Sequence, residues 1–365
     1  SSNGGRLPCP QMGGDGGNTG IQLRGLEKRY STVYIDGVKM LDPSSSDGSF
    51  YMENIMKNSI DRVEILKGTQ SSLYGSNAIG GTIHIFTKKG REGNHSNVEV
   101  STGTDKTRNV NLSLDGANEK YSYYIGVNKF LTDGISAMTD NTEKDEYKNN
   151  GIVGNFSYNL NDTLKIENSF RYSDSFFEYD NVSSSKHDVA STDNIEASYT
   201  LKLSQDKGKL KNSLIYNKLQ IERNTFGNIG SKLGHHANYF GYRDAINYLG
   251  EYNFNLDKKI IFGIDSEFDA ARASTGDYTP KPEKKHDESI ISQYFDFQFR
   301  PFEKTYATFG LRSDDHTTAG RKTSGRTTLA YLLNNNSKLR SSFGAGVRFP
   351  ALYDYGFSSA NNVTT

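Results

Sequence analysis

The residues best able to do chemistry lie in short polar clusters. In Leu41-Asp42-Pro43-Ser44-Ser45-Ser46-Asp47-Gly48-Ser49-Phe50, the carboxylates of Asp42 and Asp47 and the hydroxyls of Ser45, Ser46 and Ser49 offer hydrogen bonds to a polar ligand, with Phe50 beside them. A plain solvated loop would have the same composition. Between Ser173 and Asn194 stand Asp174, Glu178, Asp180, Asp188 and Asp193, hard oxygen donors dense enough to hold Ca²⁺, and a solvated loop explains these acids equally. His235-His236 could touch a metal chelate or haem, or simply stand in solvent. Nothing resembles a catalytic set. Gly75-Ser76 lacks the Gly-x-Ser-x-Gly frame of a nucleophile elbow. The lone Cys9 excludes an intrachain disulfide and a Cys-rich zinc site, and in Leu7-Pro8-Cys9-Pro10 it reads as an incidental thiol. The residues therefore point to binding rather than covalent chemistry, with no resident metal and no cofactor.

Composition narrows what could position these clusters. The 43 Lys and Arg balance the 43 Asp and Glu, leaving no basic excess for nucleic acid. Hydrophobic residues make up 34% and the mean hydropathy is −0.70. No apolar run approaches the ~18 residues of a membrane-spanning helix. A membrane β-barrel stays open, because its strands show lipid only alternate residues. The 36 Gly, 23 Tyr and 20 Phe lean towards β structure. The first residues carry neither a basic nor an apolar leader, so any signal peptide is expected to have been removed.

Two textures follow each other along the chain. Up to residue 91, glycine turns alternate with short β-like runs: Ile21 to Gly25, Thr32 to Gly37, Ile60 to Gly68 and Gly81 to Thr87 read as strands, and Phe50 to Asn58 as a short helix. This predicts a small α+β domain. From Asn97 onward apolar and polar residues alternate, as in Ile195, Ala197, Tyr199, Leu201 and Leu203 against Glu196, Ser198, Thr200 and Lys202. Such a pattern makes a half-buried antiparallel sheet, whether its apolar face meets a core or lipid.

The connections separate those two cases. Tight turns at Asn161-Asp162, Asp257-Lys258, Pro301 to Lys304 and Asn334 to Ser337 alternate with long polar stretches. These are Leu131 to Asn150, Ser173 to Asn194, Arg223 to Ala245, Ala271 to Ser289 and Ser313 to Gly325. Short turns on one rim and long loops on the other belong to an outer-membrane barrel. About thirteen strands are expected between Asn97 and Val347, whereas bacterial single-chain barrels close with an even number. The expectation is thus an incomplete all-β transmembrane antiparallel barrel, truncated at its C-terminus, behind a small α+β domain.

The segment Ile60-Asp61-Arg62-Val63-Glu64-Ile65-Leu66-Lys67-Gly68-Thr69-Gln70-Ser71-Ser72-Leu73-Tyr74-Gly75-Ser76-Asn77-Ala78-Ile79-Gly80-Gly81-Thr82-Ile83-His84-Ile85-Phe86-Thr87 resembles the end of the plug domain of TonB-dependent outer-membrane receptors. Upstream, Ile21 to Gly25, with Arg24, and Val33 to Val38, with Asp36-Gly37, are similar to earlier strands of that plug. Arg348-Phe349-Pro350-Ala351-Leu352-Tyr353, and Thr132-Asp133-Gly134-Ile135-Ser136 followed by Glu143, Asp145 and Tyr147, resemble barrel loops of the cobalamin-transporter branch. There are departures. Lys67-Gly68-Thr69 stands where the family commonly has Arg-Gly-Pro, and Lys loses the bidentate fork of Arg, which would weaken a plug-to-barrel ion pair there. No energy-coupling box is visible before Gly13, and the closing aromatic-ended strand is not seen.

The resemblance implies a plug over residues 1–91, incomplete at its N-terminus, and an outer-membrane barrel over 97–365. It implies import of a scarce bulky nutrient, cobalamin or a ferric siderophore, energised by TonB and its inner-membrane complex. It places the 42–50 loop at the ligand-facing apex of the plug. Gly68, Gly75, Gly80 and Gly81 are expected as turns and close-packing points around Tyr74. Arg24, Arg62 and Glu64 are expected to pair with charges of the barrel lumen. A passive porin or a surface β-barrel adhesin are the competing readings; neither has reason to carry residues 13–90.

Overall fold

The computed structural model describes residues 16–17, 19–68, 71–136, 144–180, 189–229, 232–277, 283–334 and 336–356. Cys9, Gly13, Glu143 and Asp188 lie outside them, as do Thr69 and Gln70. The N-terminal sheet starts from the Asp36-Gly37 turn, whose φ angles of 48° and 87° suit this dipeptide and fold β1 (Ser31–Ile35) back on β2 (Val38–Met40). After β3 (Ile60–Lys67), a single helical turn, α1 (Ser71–Tyr74), leads to β4 (Gly81–Thr87). The order is β2-β1-β4-β3, with β1 and β4 parallel.

Two expected elements are absent. Ile21 to Gly25 forms no strand: the chain turns at Arg24 and Gly25, with φ of 59° and 76°, and Leu23 enters the core. Phe50 to Asn58 forms no helix, apart from a 3₁₀ turn at Lys57–Ser59. Met52, Ile55 and Met56 have helical spacing, but tertiary partners take up the backbone instead. The Met52 N–H donates to the Thr19 carbonyl, and the carbonyls of Glu53 and Asn54 accept from the Tyr147 hydroxyl and the Arg171 guanidinium.

The second sheet holds thirteen strands in unbroken antiparallel order. They are β5 (Gly93–Thr102), β6 (Arg108–Ala117), β7 (Tyr121–Thr132), β8 (Tyr147–Asn159), β9 (Leu164–Asp180), β10 (Val189–Lys207) and β11 (Leu210–Ile229). There follow β12 (Lys232–Asn255), β13 (Lys258–Asp277), β14 (Lys284–Phe302), β15 (Thr305–His316), β16 (Gly320–Asn334) and β17 (Ser337–Gly344). Its edges, β5 and β17, do not pair with each other. One rim has short turns throughout, as at 160–163 and 256–257. On the far rim, the stretches expected as long loops are largely strand. Arg223 still pairs with Tyr239 across β11 and β12, and Ala271 with His286 across β13 and β14. Beyond the apolar band both faces turn polar, so the alternation fades while the ladder continues to satisfy the backbone.

The sheet is inverted relative to a soluble core. Val98, Leu114, Phe156, Ile246, Ile264 and Ile291 are exposed on its convex face, while Arg171, Glu196, Arg243, Asp269, Asp296 and Arg312 are buried on its concave face. The plug fills that concavity. Its core of Leu23, Val33, Ile35, Val38, Met40, Phe50, Ile83 and Ile85 is completed by Leu219 and Ile221 of β11. These two wall residues are apolar on an otherwise polar concave face, opposite the outer face on which Leu214 is exposed.

Candidate functional site

The 42–50 loop sits beside the far halves of β11 and β12, held by its own side chains. Asp42 Oδ1 accepts from the Ser44 amide at 2.8 Å and from the Ser44 hydroxyl at 2.6 Å, an Asx turn that closes the bend. Its other oxygen accepts from Arg223 Nη1 at 2.8 Å, which fixes the loop to β11. The Ser45 hydroxyl donates to the Asp42 carbonyl, and Asp47 Oδ1 accepts from the Ser49 amide. Asp42, Ser45, Ser49 and Phe50 are buried; Ser46 is exposed and Asp47 partly so. Of the six residues expected to meet a ligand, Ser46 and Asp47 reach the surface and the other four build the loop beneath them. The described cations close to this loop are engaged: Lys28 lies 3.5 Å from Asp47, Arg348 donates to the Asp47 carbonyl and Arg223 to Asp42.

Below the loop the wall grips the plug through buried charge. Lys39 of β2 meets Glu267 at 3.3 Å, and Arg243 lies 2.5 Å from Glu267 and 2.6 Å from Asp269, so two cations offset two carboxylates. Arg312 pairs with Asp265 at 2.9 Å and Asp314 at 2.6 Å, and donates to the Leu73 carbonyl of α1. Arg171 bridges Glu196 at 2.8 Å and the Asn54 carbonyl at 3.0 Å. The partly buried Glu53 next to this group is pushed up to about 8 by burial and by the Glu196 carboxylate.

This corrects the expectation that plug arginines pair with the lumen. Arg62 and Glu64 pair with each other at 2.8 Å on the exposed side of β3, with Arg62 stacked 3.9 Å over Phe86; Arg24 and Lys67 are exposed too. The gripping guanidinium groups come from the wall. Arg171, Arg243 and Arg312 sit at concave positions of apolar-out strands, and that phase was the available signal. The plug glycines take conformations that a side chain resists. Gly81 has φ 147°, where a Cβ would stand 2.3 Å from the Leu66 carbonyl oxygen, and Gly75, at φ 72°, lies against Arg312. Gly68 N donates to the Gly80 carbonyl, and the ring of Tyr74 tilts against His84 at 5.0 Å. Asp36 accepts from the Thr87 amide and hydroxyl, clasping β1 to the end of β4.

Among its described residues the acid-rich stretch does not converge. Asp174 and Asp193 are exposed on the face opposite buried Ser173, Ser175, Thr192 and Asn194, while Asp180 accepts from the Ser136 hydroxyl. Among the described residues, no three His, Cys, Asp or Glu side chains group closely enough to hold a metal. His236 is exposed, its ring edge-on to Phe226. A strap after β17 was not anticipated as a contact. It turns back over the plug, where the Phe349 amide donates to the Ser76 hydroxyl at 3.0 Å and the Asn77 amide to the Val347 carbonyl at 3.3 Å.

Comparison with known proteins agrees with this architecture. The family model described as TonB-dependent Receptor Plug Domain matches residues 5–82, and that described as TonB dependent receptor-like, beta-barrel, matches residues 86–365. The chain is 24% identical over 364 residues to the vitamin B12 transporter BtuB of Photobacterium profundum, covering 98% of this chain and 57% of that protein. It is 29% identical over 147 residues to an iron-regulated outer membrane virulence protein of Vibrio cholerae, 38% of this chain and 22% of that one. Among solved structures, the siderophore receptor PirA of Acinetobacter baumannii superposes with a TM-score of 0.75 at 18% identity, covering 92% of this chain and 56% of that chain. The ferric enterobactin receptor PfeA of Pseudomonas aeruginosa gives 0.77 at 17%, covering 92% and 57%. The chain thus spans just over half the length of its full-length matches. A plug sheet seated in the concavity of a polar-inside, apolar-outside sheet, with both parts matched over nearly the whole chain, places this protein in the TonB-dependent receptor family.

Proposed function

We propose that this chain is part of an outer-membrane receptor that imports a scarce bulky nutrient, cobalamin or a ferric siderophore, by rearranging its plug at the expense of energy delivered through TonB and its inner-membrane complex. Residues 1–91 form the plug and 97–365 the barrel portion. The observation that carries the reading is the inverted sheet with a folded domain inside it: apolar residues face outward where lipid would be, and the concave face is held to the plug by buried ion pairs. No covalent step is part of the function. Ligand would rest on Ser46 and Asp47 at the plug apex, with Asp42, Ser45, Ser49 and Phe50 as support. The test is uptake by cells making the full-length protein, offered cobalamin, ferric siderophores and haem, with and without TonB. TonB-dependent uptake of cobalamin or a ferric siderophore is expected; equal uptake without TonB would favour a passive pore.

A further inference from the structure

The chain leaves the plug through residues 87–91, and each of them is fastened to the wall. Asn155 Nδ2 of β8 donates to the Thr87 hydroxyl at 2.5 Å and to the Lys88 carbonyl at 2.8 Å. Lys89 lies 3.4 Å from Glu167 of β9. The Gly90 amide donates to the Ser122 hydroxyl of β7 at 3.1 Å. Arg91 grips Asp115 of β6 with Nε at 2.9 Å and Nη2 at 2.8 Å, a bidentate pair to which its own amide adds a bond at 3.2 Å. The segment is thus bonded to β9, β8, β7 and β6 before it enters β5. Gly90 is pressed onto the sheet: a Cβ there would stand 2.0 Å from the Gly116 carbonyl oxygen and 2.6 Å from that of Tyr123.

A hinge has the opposite character. It absorbs backbone rotation in a few residues, and segments that open easily make few bonds to their surroundings. We propose that residues 87–91 are a fixed pivot: the end of β4 stays on the wall throughout import, and the plug rearranges on the N-terminal side of Thr87. Asp115 and Asn155 are then positioning residues, which keep the plug from leaving as a unit. The proposal rests on the import reading above. Force applied to the plug reaches this segment through β4, which is bonded to β1 on one side and β3 on the other. Asp115 is 4% exposed, so the acceptor of the Arg91 fork is shielded from water, and the fork holds by charge and geometry together. The strap after β17 contrasts with it. It meets Ser76 and Asn77 through single neutral hydrogen bonds, weaker contacts that can yield while the linker holds.

The test uses the full-length protein in cells, with cyanocobalamin, a ferric tris-catecholate and haem as probes. Arg91→Cys with Asp115→Cys, and Cys9 replaced by Ser, exchanges the ion pair for a disulfide between the same two points. Bridged receptors are expected to keep the uptake of the parent, because the pivot does not move. Loss of uptake on bridging, regained on reduction, overturns the proposal and leaves the import reading intact. Asp115→Asn decides independently of whether the bridge forms, since it keeps the shape of the side chain and removes its charge. Binding to de-energised cells should be unchanged. Entry of a hydrophilic antibiotic too large for general porins should rise about fivefold in cells that have TonB, the weight of one charge-assisted hydrogen bond. Cells without TonB should show no rise, because nothing pulls the plug from its weakened anchor. An equal rise in both strains, which a merely structural defect would give, overturns the pivot, and so does no rise in either. TonB-dependent uptake of none of the three probes by the parent overturns the import reading and the pivot with it.

Discussion

Glu53 ties plug chemistry to pH. Its folded value, raised to about 8 from 4.5, means that the folded chain keeps a proton which the unfolded chain gives up. The resulting contribution to stability is complete below pH 4.5 and is lost as pH rises through about 8. Thermal unfolding at pH 5, 7 and 9 is expected to show the plug loosening towards the alkaline end. Glu53→Gln, which mimics the protonated form, should flatten that slope, and an unaltered slope in the variant would assign the effect elsewhere. Gly81 is constrained by space instead of charge. A Cβ there meets the Leu66 carbonyl at 2.3 Å on a backbone with φ 147°, so Gly81→Ala should cost at least ~1–3 kcal/mol, read as a lower melting temperature.

At the scale of elements, β11 docks the plug. Leu219 and Ile221 enter the plug core from the wall, and Arg223 pins the 42–50 loop two residues further along. Truncating buried leucine costs about 2–5 kcal/mol, so Leu219→Ala should make the plug readily cleaved by added protease while the sheet stays intact. The same change at Leu214, exposed on the outer face, should leave plug protection as it was. Ion pairs sort by burial in the same way. Arg243→Met strands Asp269 in a buried site and leaves Glu267 with Lys39 alone, and should cost about 3–5 kcal/mol. Arg321→Met, which breaks an exposed pair with Asp315, should cost about 0–1 kcal/mol. Chemical denaturation of the two variants side by side measures the difference.

For the whole molecule, plug and wall are held at separate points: the charged face of β12–β15, the apolar face of β11 and the strap after β17. If import moves the plug, these contacts must yield together. Phe349 N lies 3.0 Å from the Ser76 hydroxyl, so the thiols of Ser76→Cys and Phe349→Cys, with Cys9 replaced by Ser, are within reach of a disulfide. Tethered receptors are expected to bind ligand normally and to lose uptake until the bridge is reduced. Continued uptake through an intact tether would mean that the strap travels with the plug.

Much of the architecture was legible beforehand because strand periodicity and turn chemistry are local. The thirteen alternating segments, the Asp36-Gly37 hairpin turn and the glycine-punctuated run from Ile60 to Thr87 each carry their reason within a few neighbouring residues. The 50–58 segment misled for the opposite cause. Its apolar spacing is helical, yet Thr19, Tyr147 and Arg171, remote in the chain, claim its backbone. The far ends of β9 to β14 misled because polarity on both faces looks like loop, although hydrogen-bonded pairing continues there. The sequence alone determined that this chain makes a half-buried antiparallel sheet behind a glycine-rich domain, since alternation puts apolar and polar residues on opposite faces. Only the tertiary structure decided which charges meet: the gripping arginines come from the wall, and Asp42 is spent on its own loop and Arg223. Pairing between residues some two hundred positions apart depends on register and docking, which no local pattern encodes.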